Sequence, residues 1–454
     1  MGGLGRRILR NGPAVALCAL VAGAYSLMPA AASAQSGPVS PNPATGTPAL
    51  AKTGTTEQVR QIVACGGVMY AVGSFTEISQ GGTTYGRNNI FSFSQNAPYK
   101  ISSWNPNVNG TVNSIQLTSD CSHAFIGGKF TKVDGSPARD IAYIRTYNNT
   151  LVSSWAHDAS AQVDTVLRTP NGHLLVGGKF TSINGSSKKY YVSLSLTTGK
   201  DDGYLNLNIS GHYSFPGSSP NGTEVYNQQL SPDGAHVLAE GTFTKVESSA
   251  RQQIFMLNLG SHGNVSDWDS SEFSQYCADK HPFYIKAAAW SPDQSTVYIA
   301  DTGKAPENWN KTFPLTGLCD AVAAFPATRV GGLHHEWVNY TGCDSLYSVA
   351  ADSSAVYVGG HERWADNASG CNQAGPGAIP APGLGGFTPG AGGGQLLTAN
   401  GGSTGLYSRG RGLGADEIYR TSAGIWIASD NEAGTDTCGN ASGLAGICFL
   451  PYPQ

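Results

Sequence analysis

Charge is scarce in this chain. Asp, Glu, Lys and Arg make up 13% of its 454 residues, about half the roughly 25% usual in soluble domains. Lys and Arg number 27 against 31 Asp and Glu, a net −4, which argues against a basic nucleic-acid-binding surface. Helical periodicity is missing from every long window, and 59 Gly with 24 Pro supply more turns than a helical protein tolerates. No C-x-x-C occurs, and Cys121 with His123 has no second pair at zinc spacing. The run Gly390-Ala-Gly-Gly-Gly394 lacks the Lys-Ser/Thr of a phosphate loop. Asp267-Trp268-Asp269 lacks the glycine and spaced acids of a calcium loop. Neither a metal nor a cofactor is expected, and no nucleic-acid partner.

What is present begins with an address. Arg6, Arg7 and Arg10 precede an apolar stretch from Pro13 to Met28, and Ala32-Ser33-Ala34 reads as a cleavage site. Residues 1–34 are therefore expected to be a secretory signal peptide. Its removal takes away three Arg and no acid, leaving −7. Leu17 before Cys18 does not suit a lipoprotein, and no later apolar run is long enough to span a bilayer. No permanent membrane anchor is expected, and the export route, Sec or Tat, stays open. After Cys18, eight cysteines remain: Cys65, Cys121, Cys277, Cys319, Cys343, Cys371, Cys438 and Cys448. An even count in an exported chain reads as four disulfides.

Self-similarity decides the fold. Ala71-Val-Gly-Ser-Phe-Thr76 recurs as Ile126-Gly-Gly-Lys-Phe-Thr131, Val176-Gly-Gly-Lys-Phe-Thr181 and Ala239-Glu-Gly-Thr-Phe-Thr244. Weaker copies begin at Ile299, Val358 and Ile427, so the period lies between 50 and 69 residues. Each unit opens with a short alternating segment, such as 112–117 or 285–290. A turn follows, such as Ser231-Pro-Asp-Gly234, whose residues accept turn geometry. An apolar run then ends in Gly-Gly or its relic. Two Gly there allow a bend or the close approach of a neighbouring backbone. A third strand lies in segments such as 89–93 and 254–258, and a fourth is expected to end on Trp104, Trp155, Trp268 and Trp337. The expected fold is all-β: a seven-bladed β-propeller of four-stranded antiparallel blades over residues 49–454. The last unit shows three strands, so the segment 49–53 is expected to supply its fourth and close the ring with strands from both termini. Residues 35–48, rich in Ser, Pro, Asn and Gly, read as a flexible linker.

The Gly-Gly-Lys-Phe-Thr copies at 127–135 and 177–185 resemble the delta-60 repeat of bacterial secreted β-propellers. Val358-Gly-Gly-His-Glu-Arg-Trp364, Gly412-Leu-Gly-Ala-Asp416 and Ala445-Gly-Ile-Cys-Phe-Leu-Pro-Tyr452 resemble later blades of exported actinobacterial propellers. The resemblance covers nearly the whole chain after the signal segment. It implies architecture and an exported compartment, and no catalytic residues.

On a propeller, function is expected in loops held by the rigid scaffold. Blades 2 and 3 keep short repeated loops, 131–138 and 181–188. Blades 5, 6 and 7 carry longer individual ones: 301–319, 361–378 and 429–445. Cysteines flank those loops, which predicts the pairs 277–319, 343–371 and 438–448. Cys65 and Cys121 are left to join blades 1 and 2. Eight cysteines allow 105 pairings, so this assignment follows from the propeller alone. Polar candidates on the rim are Asp301, Lys304, Glu307, His361, Glu362, Arg363, Asp366, Asp430 and Glu432, with Arg409, Arg411 and Asp416 entering blade 7. Asp301, His361 and Asp430 hold nearly matching repeat positions, so a ring brings them toward its central mouth. Trp309 and Trp364 are expected as flat walls, a mixture suited to sugars. Against this, His361 and Arg363 could bond loop carbonyls, or Arg363 could pair with Asp366.

Other signals are weak. His334-His335-Glu336-Trp337 lies in an expected strand, so its two His should point to opposite faces. Gly401-Gly-Ser403-Thr-Gly405 has the letters of a nucleophile elbow without the strand and helix one needs. The expected function is a monomeric extracellular binding module for a glycan or protein at the blade 5–7 rim. The alternative is a polysaccharide hydrolase or lyase using Asp301, Asp430 or Glu432 with His361. Fold alone does not choose between them.

Overall fold

The computed structural model describes residues 1–2, 37–51, 53–214, 222–277, 282–303, 317–407, 414–431 and 445–453. The expected signal peptide, apart from Met1 and Gly2, lies outside them. Among the described residues no helix is long and apolar enough to cross a membrane. The described chain is all-β, propeller-like, and built of small antiparallel sheets.

Seven sheets repeat one plan in chain order. Their first strands are Gln58–Cys65, Thr111–Leu117, Val163–Arg168, Val225–Leu230, Phe283–Trp290, Leu346–Ala351 and Glu417–Thr421. Each first strand pairs with the strand that follows it, and that second strand pairs with a third. The turn between first and second strands reuses one chemistry. Ser231 Oγ donates to Asp233 Oδ1 at 2.6 Å, and the Gly234 N–H donates to the Ser231 carbonyl at 2.9 Å. Ser291 and Asp293 repeat the hydroxyl–carboxylate bond at 2.6 Å.

The expectation of four strands per blade is corrected. A fourth strand stands in the fourth sheet (Gly263–Val265) and the fifth (Trp337–Tyr340). In the first, second, third and sixth sheets its place is taken by single bridges: Phe93 with Ile101, Ile144 with Leu151, Leu194 with Asp201 and Phe387 with Leu396. Trp104, Trp155 and Trp268 lie outside named strands. They are buried all the same, so the aromatic anchor persists where the ladder does not.

Both glycines of the repeat have a steric cause. A Cβ on Gly128 would lie 2.2 Å from the Thr111 carbonyl oxygen of its own first strand. A Cβ on Gly127 would lie 2.4 Å from Val163 Cγ1, in the next sheet. One glycine admits the sheet's own backbone and the other admits its neighbour.

Apolar clusters join consecutive sheets. Val72 and Ile90 of the first meet Val112 and Ile126 of the second; Phe125 and Ile141 of the second meet Val163 and Val176 of the third. Trp426 and Ile447 of the last sheet pack with Val59 and Phe93 of the first. Burial of each such side chain contributes about 1.5–3 kcal/mol.

The linker expected over 35–48 is corrected for its described part, 37–48. Val39 is 1% exposed and its N–H donates to Tyr357 Oη at 3.0 Å. Ser40 N–H donates to the Pro451 carbonyl at 2.7 Å and Ala44 N–H to that of Phe449 at 2.9 Å. So the segment lying along the last strand is 40–44. Ala49–Leu50, expected in that place, pairs with Glu77–Gln80.

Disulfides join Cys65 to Cys121, Cys277 to Cys319 and Cys343 to Cys371. Cys448 is also disulfide-bonded, while Cys438 lies outside the described residues. The first bridge ties sheets one and two.

Candidate functional site

Six first strands contain the same irregularity. Their ladders shift register between Val59 and Gln61, Val112 and Ser114, Val163 and Thr165, Val225 and Asn227, Ile285 and Ala287, and Leu346 and Ser348. Each shift leaves one extra residue: Arg60, Asn113, Asp164, Tyr226, Lys286 and Tyr347. A β-bulge bends its strand and re-aims that side chain. In the seventh sheet, Asp416 N–H donates to the Ala428 carbonyl at 2.9 Å just before Glu417 pairs with Ala428. Asp416 thus stands where the bulged residues stand.

All seven residues line one cavity of about 430 Å³, with Gln58, Glu417, His361 and Asp430 also in its wall. Neighbouring wall residues bond laterally. Arg60 Nη1 donates to Asn113 Oδ1 at 2.8 Å, and Asn113 Nδ2 donates to Asp164 Oδ1 at 3.2 Å. On the other side Tyr226 Oη donates to the Ile285 carbonyl. Lys286 Nζ lies 5.3 Å from the Tyr226 ring centre and 6.0 Å from that of Tyr347. Burial pushes the carboxyls of Asp164 and Asp416 up to about 7 and that of Glu417 up to about 8. The same burial pulls the Lys286 ammonium below its usual range. The cavity thus combines two cations, several acids near their titration points, and two phenol rings.

Of the described residues expected to form a site, three reach this cavity: His361, Asp416 and Asp430. His361 Nδ1 lies 3.5 Å from Tyr347 Oη. A Cβ at Gly414 would lie 3.1 Å from Asp430 Oδ2 and 3.3 Å from His361 Nε2, so both atoms converge on that glycine. Asp301 is not in the cavity wall. It is fully buried; Ala321 N–H donates to its Oδ1 at 3.3 Å, and Gly303 N–H donates to Asp320 Oδ1 at 2.8 Å. Burial, and for Asp301 the adjacent Asp320, push both carboxyls well above the carboxylate range.

The remaining rim candidates serve the local frame. Arg363 donates to both oxygens of Asp344 at 2.7 Å, and its guanidinium lies 4.4 Å over the Trp364 ring. The pairing with Asp366 is corrected: Asp366 instead accepts from Asn339 Nδ2 at 2.6 Å. Glu362 is buried with neither oxygen hydrogen-bonded, and burial raises its carboxyl strongly. Trp364 is half-buried, with Arg363 over its ring. Lys304, Glu307, Trp309, Arg409, Arg411 and Glu432 lie outside the described residues. The strand expected through His334 and His335 begins only at Trp337. Their Nδ1 atoms converge on the two oxygens of Glu272, at 3.0 and 2.6 Å.

No family model and no curated protein sequence matches the chain. Solved structures do align. One is described as "Structure of U3-55K": 10% identity, TM-score 0.45, covering 90% of this chain and all of that one. Another is the β-propeller domain of Cps50 (Swd1) from Myceliophteria thermophila: 10% identity, TM-score 0.44, covering 88% of this chain and all of the other. Neither likeness says what this chain binds.

Proposed function

We propose that the seven sheets are blades of one closed propeller of the exported delta-60-like kind, acting as a monomeric extracellular binding module. Its ligand enters the cavity where the first strands converge, not the outer blade 5–7 rim. The observation that carries this reading is the repeated bulge, which turns one chosen side chain per sheet toward a single cavity. Donors at Arg60 and Asn113, acceptors at Asp164 and Gln58, and phenol faces match a hydroxyl-rich group such as the end of a glycan. Apolar ring faces and hydroxyls are satisfied together there. Packing of the last sheet on the first, and of 40–44 on the last strand, supports closure.

The test is a glycan array probed with the secreted protein, whose N-terminus should be Gln35. Arg60→Ala and Tyr347→Ala should each abolish the signal. Binding that ignores both substitutions overturns the cavity as the site. A second reading, a polysaccharide hydrolase or lyase, is favoured by the convergence of His361 and Asp430 beside Asp416, whose carboxyl burial pushes up to about 7. A reducing-sugar assay decides it: turnover lost in His361→Ala and Asp430→Asn supports the enzyme, and no turnover from any array hit removes it.

A further inference from the structure

One group in the cavity has no use in that binding scheme. Lys286 is the extra residue of the bulge between Ile285 and Ala287, so the backbone commits its side chain to the cavity. Among the described residues its Nζ makes no hydrogen bond and no ion pair; it lies over the faces of Tyr226 and Tyr347. Lys286 is half-buried. It is therefore a part-exposed amine in the cavity, with burial the main influence on its charge. A salt bridge would hold an ammonium in its charged form. Two ring faces do so more weakly; the carboxyls of Glu224, Asp416 and Asp164 act in the same direction, and burial outweighs them.

We infer that Lys286 is a reactive lysine that captures carbonyl compounds, small aldehydes or the open-chain form of a reducing sugar, as a Schiff base. This goes beyond glycan binding and needs only the cavity. The ammonium first releases its proton to water. The Nζ lone pair then attacks the carbonyl carbon, and the nitrogen's proton passes to the carbonyl oxygen to give a carbinolamine. A proton from an acid converts that hydroxyl into leaving water, the nitrogen lone pair forms the C=N bond, and the resulting iminium returns its N–H proton to the acid. One amine and one carbonyl give one imine and one water, with no oxidant or reductant. Desolvation favours the step because it lowers the cost of the neutral amine. Asp416, in the same wall with its carboxyl near 7, is a proton source for the departing oxygen.

The experiment uses the full secreted chain and glyceraldehyde with sodium cyanoborohydride, which reduces an imine to a stable secondary amine. After brief exposure at neutral pH, peptide mass spectrometry measures the adduct on every lysine. Lys286 should carry severalfold more adduct than the exposed Lys129 and Lys245, because burial disfavours its charged form. The excess should vanish in denaturant and be absent in Lys286→Arg. Labelling of Lys286 at or below the level of the exposed lysines overturns the proposal. That comparison is made within the wild-type chain, so it holds even if the variant fails to fold.

Discussion

The Glu417 carboxylate accepts a hydrogen bond from the backbone N–H of Ile62 at 2.7 Å, across 355 residues of sequence. Equivalent bonds run from Gln61 to Ile115 N–H at 2.5 Å and from Ser114 to Val166 N–H at 3.1 Å. In each case the residue after the bulge position reaches the first strand of the following sheet. Glu417, in the last sheet, reaches the first strand of the first sheet. Glu417→Gln keeps an acceptor and should leave the melting temperature nearly unchanged. Glu417→Leu strands a part-buried N–H and should cost about 1–3 kcal/mol, visible in thermal unfolding. Equal stability of the two variants would remove this bond from the account of closure.

Glycine at 128 is required by contact. Gly128→Ala pushes a Cβ against the Thr111 carbonyl, a backbone atom with little room to retreat. The loss should be at least about 2 kcal/mol, within the range for strained or overpacked sites. Gly86→Ala, with nothing within 4 Å of the added Cβ, should leave the midpoint of denaturation where it is.

Buried acids set a pH dependence of definite sign. Glu240 is fully buried, neither oxygen is hydrogen-bonded, and burial pushes its carboxyl up to about 8. Asp301 and Asp320 are raised in the same direction. The folded state then binds more protons than the unfolded state, so stability falls as pH rises. The window runs from the ordinary carboxylate range near 4 to about 8 for Glu240. Melting temperatures across that window should decline, and the decline should be shallower in Glu240→Gln. A Glu240→Gln profile parallel to wild type would show that Glu240 does not titrate with folding.

Bridging Cys65 to Cys121 encloses a loop with a sequence separation of 56. The double replacement of both by Ser should lower stability by about 2–4 kcal/mol. Added reductant should then cause a smaller further drop in that variant than in the wild type. No loss on double replacement would mean that the packing of Val72 and Ile90 on Val112 already fixes the two sheets.

Much of the fold is legible because it rests on local chemistry repeated along the chain. Ser-Pro-Asp-Gly turns, alternating strands and paired glycines each have a steric or hydrogen-bonding cause within a few residues. The edges are less legible. Ser40 to Ala44 contains Pro41 and Pro43 and reads as a linker, since its ladder partners, Phe449 and Pro451, lie at the far end of the sequence. His334 and His335 converge on Glu272, a partner that strand periodicity does not reveal. The cavity is overlooked for a different reason. A repeat is traced by its constant letters, whereas Arg60, Asn113, Asp164, Tyr226, Lys286 and Tyr347 occupy its inconstant one. The signal was nonetheless present: in each unit a single variable residue follows Val59, Val112, Val163, Val225, Ile285 or Leu346.

That placement has an evolutionary corollary. A residue outside the ladder's register is not asked to match a partner across the strand, so drift there is cheap. Chemistry at the centre can be rewritten one position at a time while the scaffold keeps its shape. Relatives of this chain sharing its turns and glycines should therefore differ most at these few interior letters, and with them in what they hold.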